Sequence, residues 1–151
     1  MAKGMFARMT DILRSNINEA LDRAEDPEKL IRQMIREMEE AVNKATASVG
    51  TAVANQKRLE RQHDERVTQV EDWQRKAERG VEAGEDELAR RALERKTVLQ
   101  QAVDELAPAV EESRRTAQQL REQLRELKSK LEEARTRQVT LMARHRAAEA
   151  R

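Results

Sequence analysis

Small and apolar residues recur at alternating intervals of three and four along two long stretches, and this spacing constrains the fold most. The first seam comprises Ile31, Ile35, Met38, Val42, Ala45, Val49, Ala52 and Leu59. The second comprises Leu99, Val103, Leu106, Val110, Ser113, Ala117, Leu120, Leu124, Leu127, Leu131, Ala134, Gln138, Leu141, His145 and Ala148. A heptad pattern of this length predicts a coiled-coil seam rather than a globular core.

The two stretches are separated by a segment that favours a turn. Gly80 and Gly84 flank it, and acidic residues follow. Each stretch is apolar along one narrow stripe only, so the two stripes are stable when they pack on each other. The sequence therefore predicts an all-α fold, a long antiparallel two-helix coiled-coil hairpin preceded by a short amphipathic N-terminal helix. Whether the seam closes within one chain or between two chains stays open, because both arrangements satisfy the same heptads.

Turn and cap residues set the predicted boundaries. Asp26 and Pro27 are typical of a helix start, since Asp accepts a backbone N–H and Pro needs no donor in the first turn. We expect arm one at about 27–82, the tip at 80–86 and arm two at about 87–148. The predicted domains are an amphipathic membrane-binding helix over 1–24 and the hairpin over 25–151.

Gly50 lies in the middle of the predicted first arm. Pairing the arms about the tip places it opposite the small residues Ser113 and Ala117. Small residues on both sides favour a close approach of two helices, which compensates for the low helix propensity of glycine. We therefore expect the arms to approach closely at Gly50.

The first 24 residues form the predicted amphipathic helix. A helical wheel places one set of apolar residues on one half: Met5, Phe6, Met9, Ile12, Leu13, Ile17, Ala20 and Ala24. The basic residues Lys3, Arg8 and Arg14 lie at or beyond its edges, as in helices that lie in the headgroup region of a membrane. The predicted membrane-binding residues are Lys3, Met5, Phe6, Arg8, Met9, Ile12, Leu13, Arg14 and Ile17.

A second interpretation of this helix remains open. Asn16 falls within the apolar half, and Asp11, Glu19 and Asp22 dilute the positive charge. The same stripe also suits an amphipathic helix that packs on another helix of its own protein or oligomer.

Composition excludes several classes of function. Lys and Arg number 30 against 29 Asp and Glu, so bulk charge does not indicate direct nucleic-acid binding. There is no Cys and no apolar run long enough to span a membrane. Glu60 and His63 have the spacing of a metal-binding bundle helix, but no second such motif accompanies them. We expect no metal site, no cofactor and no catalytic residues, and hence no enzyme.

Several blocks resemble one family over essentially the whole chain. The blocks are Gly4-Met5-Phe6, the run from Ala24 to Met38 (AEDPEKLIRQMIREM), Trp73 to Glu78 (WQRKAE), Glu87 to Leu93 (ELARRAL) and Ala134 to His145 (ARTRQVTLMARH). In order and spacing they resemble the phage shock protein A family, which includes the vesicle-inducing protein of plastids and is related in fold to ESCRT-III.

The resemblance implies a function. Members of that family are bacterial proteins of the membrane-stress response, peripheral on the cytoplasmic face of the inner membrane. They bind anionic or damaged membrane through the N-terminal helix, here Met5 to Ala24. They self-associate, and some inhibit an AAA+ transcriptional activator through the hairpin, here at an unknown site within 25–148. Members usually continue with further assembly helices beyond the point where this sequence ends, and whether this sequence is a fragment of a longer protein stays open. The alternative is a purely structural coiled-coil scaffold that binds no lipid directly.

Overall fold

Four helices account for most of the chain. The computed structural model describes residues 5–150, with side chains from Met9 onward. The helices are α1 (Met5–Arg14), α2 (Ile17–Arg23), α3 (Pro27–Glu82) and α4 (Asp86–Glu149). No residue in the described range is in a strand. The long helices α3 and α4 pack against each other, which confirms the prediction of an all-α helical hairpin.

Local chemistry sets where α3 begins and where the chain reverses. The Asp26 carboxylate accepts a hydrogen bond from the Lys29 backbone N–H at 3.2 Å, just before Pro27 opens α3. At the turn, the Glu85 N–H donates to the Gly80 carbonyl at 2.8 Å, and Gly84 has a φ of 75°. Glycine adopts this left-handed conformation without the steric cost that a Cβ imposes, so the chain can reverse within a few residues.

The close approach of two helices lies at the tip and not at Gly50. A Cβ built on Gly50 would have no heavy atom within 4 Å, so the expectation of tight packing there is wrong. A Cβ on Gly80 would lie 3.1 Å from the Ala89 backbone nitrogen and 3.2 Å from the Ala89 Cβ. The short chain reversal forces α3 and α4 together at this point, and glycine leaves the space for it.

The chain divides into two compact units. Unit 1 comprises residues up to Gly50 together with those from Gln119 onward. Its seam follows the heptads, since Ile31, Ile35 and Met38 of α3 are buried with Leu131 and Ala134 of α4. In the structure the seam ends at Leu141, so the prediction that it continues to His145 and Ala148 is wrong, because both residues are exposed.

Unit 2 comprises Thr51–Gln118 and has a core of mostly small residues. Its buried residues are Ala77, Gly80, Ala89, Ala92, Val110, Ser113 and Ala117. The buried Ser113 hydroxyl donates to the Val110 carbonyl at 2.7 Å, which satisfies a polar group inside the seam. Arg114 pairs with Glu60 at 2.7 Å across the two helices.

Candidate membrane-binding segment

The segment predicted as one helix over 1–24 is two helices with a joint at Ser15 and Asn16. Asn16 has an extended backbone (φ −102°, ψ 105°), and its side chain accepts a hydrogen bond from the Glu19 N–H at 3.1 Å. The Ser15 hydroxyl donates to the Ile12 carbonyl at 2.6 Å. These side chains satisfy backbone groups that a continuous helix would pair, so α1 ends and α2 begins here. The prediction of a single helix is therefore wrong.

The structure places the predicted membrane-binding residues in three environments. Met9 and Ile17 are each 1% exposed, while Ile12 and Leu13 are half-buried. Arg14 is exposed. Lys3 lies outside the described residues, and so do the side chains of Met5, Phe6 and Arg8.

The buried side chains of α1 and α2 pack on the hairpin within unit 1. Met9 of α1 lies with Ala41 and Ala45 of α3 and Leu127 of α4, and Leu127 is fully buried. The small alanines leave room for a helix backbone to approach α3 closely. This is the packing on a helix of the same protein that the second interpretation describes.

The α2 helix packs on a neighbouring and more apolar part of the same surface. Ile17 and Leu21 lie in one cluster with large side chains and one small one: Ile31, Ile35, Met38, Leu131 and Ala134. Sequence reasoning missed Leu21, which is 3% exposed. A single helical wheel over 1–24 leaves Leu21 out of the apolar set, because it assumes one continuous helix through the extended Asn16. Its spacing of four from Ile17 was the available signal.

One charged side chain holds the joint. The Lys130 ammonium of α4 donates a hydrogen bond to the Ser15 carbonyl oxygen at 2.8 Å, and this contact is partly buried. In a continuous helix the Glu19 N–H would bond the Ser15 carbonyl, but here it bonds the Asn16 side chain. Lys130 therefore supplies a partner for a carbonyl that the joint leaves without its helical donor.

Docking on the hairpin buries Met9 and Ile17, two of the side chains that the sequence predicts for lipid binding. Burial of Met9, Ile17 and Leu21 contributes roughly 5 to 9 kcal/mol before ordering costs are subtracted, at about 1.5 to 3 kcal/mol per side chain.

Other site classes find little support in the described part of the chain. No group of three or more His, Asp or Glu residues is placed there to hold a metal ion. Within the same residues, no helix is long and apolar enough to cross a membrane.

The fold and the segment define a class of protein: an all-helical hairpin with an amphipathic N-terminal segment packed on it. Comparison with known families identifies the group within that class. The chain belongs to the PspA/IM30 family, whose sequence model matches residues 4–151.

Several curated proteins are similar to this chain. Membrane-associated protein Vipp1 of Nostoc punctiforme is 35% identical over 147 residues, which cover 97% of this chain and 57% of that protein. The phage shock protein A homolog of Bacillus subtilis is 35% identical over 105 residues, covering 70% and 46%. Protein LiaH of Bacillus subtilis is 27% identical over 147 residues, covering 97% and 65%. None of these three is named as an enzyme, in agreement with the sequence-based prediction. The chain spans about half the length of the first two relatives.

Proposed function

We propose that this chain is a membrane-stress protein that binds anionic or damaged membrane peripherally through its N-terminal segment. Family membership supports the general class, and one similar relative is named as membrane-associated. The proposed location is the cytoplasmic face of a bacterial inner membrane. The proposed lipid-binding residues are those predicted from the sequence, with Met5, Phe6, Met9, Ile12 and Leu13 as the apolar part.

The observation that carries this proposal is the attachment of α1 and α2 to the outside of the hairpin. The joint before α3 consists of Ala24, Glu25 and Asp26, none of which is buried, and Ala24 has an extended backbone (φ −78°, ψ 141°). The segment therefore carries its own apolar face, and all or part of it can leave the hairpin without breaking a hydrogen bond within α3 or α4. The docked form is the lipid-free form, in which the hairpin shields the apolar face from water.

Lipid binding is tested by vesicle co-sedimentation of the full chain with two glutamates in place of Phe6 and Ile12. Glutamate is strongly disfavoured at the acyl boundary, so the Phe6→Glu/Ile12→Glu variant should lose binding to anionic vesicles. The matched control replaces Val139 and Met142, which are exposed in unit 1, by glutamate. It carries the same added charge and should bind as the unchanged chain does.

Varying the lipid composition and the salt concentration tests whether electrostatic attraction contributes to membrane binding. Binding should be stronger on anionic than on neutral vesicles and should weaken between low and moderate salt, because Lys3, Arg8 and Arg14 add an electrostatic attraction. Unchanged binding of the Phe6→Glu/Ile12→Glu variant would refute the assignment of the segment. Absence of binding by the unchanged chain would favour the alternative, a structural scaffold whose first helices only pack on the hairpin.

We propose that the hairpin, within 25–148, serves self-association and the inhibition of an AAA+ transcriptional activator. Support comes from family membership, and from the large apolar side chains that unit 2 exposes, such as Val81, Leu88 and Val98. Excess chain should lower the ATPase rate of such an activator, and a version that starts at Glu25 should do so equally. Unchanged ATPase rates at high excess would remove this part of the proposal. Light scattering at rising protein concentration tests self-association independently.

A further inference from the structure

The two helices of the N-terminal segment are held at different places on the hairpin. Met9 of α1 packs on two alanines and Leu127, whereas Ile17 and Leu21 of α2 pack mainly on large side chains. Ile12 packs at the edge of both clusters. The described side chains thus attach α1 and α2 to two neighbouring clusters, so the two helices have separate contacts with the hairpin.

The net charge of the segment changes sign at the same joint. Residues 1–14 contain Lys3, Arg8 and Arg14 against Asp11, three bases and one acid, which leaves a net charge of +2. Residues 15–24 contain Arg23 against Glu19 and Asp22, one base and two acids, which leaves −1. Anionic lipid therefore attracts residues 1–14 and repels residues 15–24.

The joint allows the two helices to part. The hydrogen bond from Glu19 N–H to Asn16 starts α2 on its own, and the Ser15 N–H donates back to the Asp11 carbonyl at 3.0 Å to finish α1. The two helices are covalently continuous but share no helical hydrogen bond through the Ser15 carbonyl. That carbonyl is bonded to Lys130 of the hairpin instead.

We propose that α1 is a detachable element that swings away from the hairpin at Ser15 and Asn16 while α2 stays docked, and that Lys130 is the positioning residue that holds α1 closed. The hydrogen bond from Lys130 fixes the end of α1 against α4. Loss of this bond frees α1 without disturbing Ile17 or Leu21. In the membrane-bound form, which rests on the function proposed above, Met9, Ile12 and Leu13 enter the lipid. Ile17, which the sequence places among the lipid-binding residues, remains in unit 1 instead.

Proteolysis of the lipid-free full chain tests whether Lys130 holds α1 on the hairpin, and it requires no assumption about membranes. A helix as short as α1 is unstable when it is not packed, so a protease cuts after Arg14 when α1 undocks. An arginine-specific protease is suitable because changes at lysine leave its cleavage sites intact. Arg14 and Arg23 are both exposed and report on α1 and α2 respectively.

Three variants distinguish the effect of losing the hydrogen bond between Lys130 and Ser15 from the effect of losing a positive charge. Lys130→Met keeps the apolar stem and removes the donor, and the rate of cleavage after Arg14 should rise roughly three- to tenfold, while the rate after Arg23 stays unchanged. Lys130→Arg keeps a donor and should restore most of the protection. Lys128→Met removes an exposed lysine from the same helix and should behave as the unchanged chain does.

Two results would overturn the proposal. Equal increases after Arg14 and Arg23 in Lys130→Met would show that the segment leaves as one piece. Unchanged rates at both sites would show that Lys130 does not hold α1.

Vesicle binding by the same variants tests whether release of α1 favours membrane binding. Lys130→Met should reach half-maximal binding to anionic vesicles at a roughly three- to tenfold lower lipid concentration than Lys128→Met, which has lost the same charge. Equal binding of these two variants would refute the link between undocking and lipid. If no variant binds vesicles, the proposed function fails, while the proteolysis result still decides whether α1 is detachable.

Discussion

At the residue scale, one ion pair in unit 2 responds to pH. The Arg114 guanidinium, which donates a hydrogen bond to Glu60, and the Gln56 amide beside it lower the pKa of the Glu60 carboxyl below its ordinary value. A carboxyl whose pKa is lower in the folded than in the unfolded state stabilises the fold above its unfolded pKa. This contribution is lost as the pH falls through the folded pKa.

Glu60→Gln should therefore lower the Tm slightly at neutral pH, because the pair is largely exposed. The difference in Tm from the unchanged chain should shrink as the pH falls through the lowered pKa of Glu60, where the carboxyl of the unchanged chain also becomes neutral. Thermal unfolding followed by circular dichroism measures the Tm of the variant and of the unchanged chain at each pH. A Tm difference that is constant between pH 7 and pH 3 would contradict the assignment of this ion pair.

Two glycines should respond to alanine in opposite directions. Gly50 lies inside α3 with open space around it, so Gly50→Ala should raise the stability by roughly 0.5 to 1 kcal/mol through helix propensity alone. Gly84 has a φ of 75°, so Gly84→Ala should lower it by about 1 to 2 kcal/mol. Urea unfolding gives both values. A stabilising Gly84→Ala would show that the turn does not need a left-handed residue.

At the element scale, the two N-terminal helices should differ in what their buried residues contribute. Met9 and Ile17 are equally buried, at 1% exposure each. Ile17→Ala should lower the global free energy of unfolding by roughly 2 to 4 kcal/mol, because α2 is part of the core of unit 1. Met9→Ala should cost less than about half of that, since the loss cannot exceed the free energy of docking α1.

Urea unfolding followed by far-ultraviolet circular dichroism compares these two variants. Hydrogen exchange of α1 gives the local measure, and exchange should accelerate in Met9→Ala throughout α1 while α2 stays protected. Equal losses of global stability in the two variants would contradict the division of the segment at Ser15.

The same elements show what could be predicted from sequence. The heptads located the seam well, since every predicted seam position from Ile31 to Leu59 and from Leu99 to Leu141 is buried or half-buried. A heptad pattern indicates the face of a helix that packs on one other helix along its whole length. It does not indicate a second packing helix, so the burial of Ala41 beside the seam, where α1 packs, was not predicted.

The joint in the segment was missed for a related reason. The single wheel includes Asn16 as a polar residue within the apolar half, although Ser15 and Asn16 both readily bond the backbone and end or start helices. The contact between Lys130 and Ser15 joins residues 115 positions apart. No local pattern marks such a pair, because it depends on where the segment lies on the hairpin.

At the scale of the whole molecule, the central claim is that the hairpin and the membrane compete for the same N-terminal helix. The sequence contains no Cys, so an engineered pair of cysteines forms the only possible disulfide within the chain. Met9 and Ala45 are both buried in one cluster, so Met9→Cys with Ala45→Cys is the pair chosen to bond α1 to α3, and loss of free thiol on oxidation shows that the bond has formed. Reduction of the same sample releases α1 and serves as its own control.

The measurement that tests this claim most directly is binding of the Met9→Cys/Ala45→Cys chain to anionic vesicles before and after reduction. We expect the oxidised chain to stay in the supernatant and the reduced chain to sediment with the vesicles, because α1 reaches lipid only when it leaves the hairpin. Equal binding of the oxidised and reduced chains would contradict the account, since a docked α1 would then not prevent membrane binding.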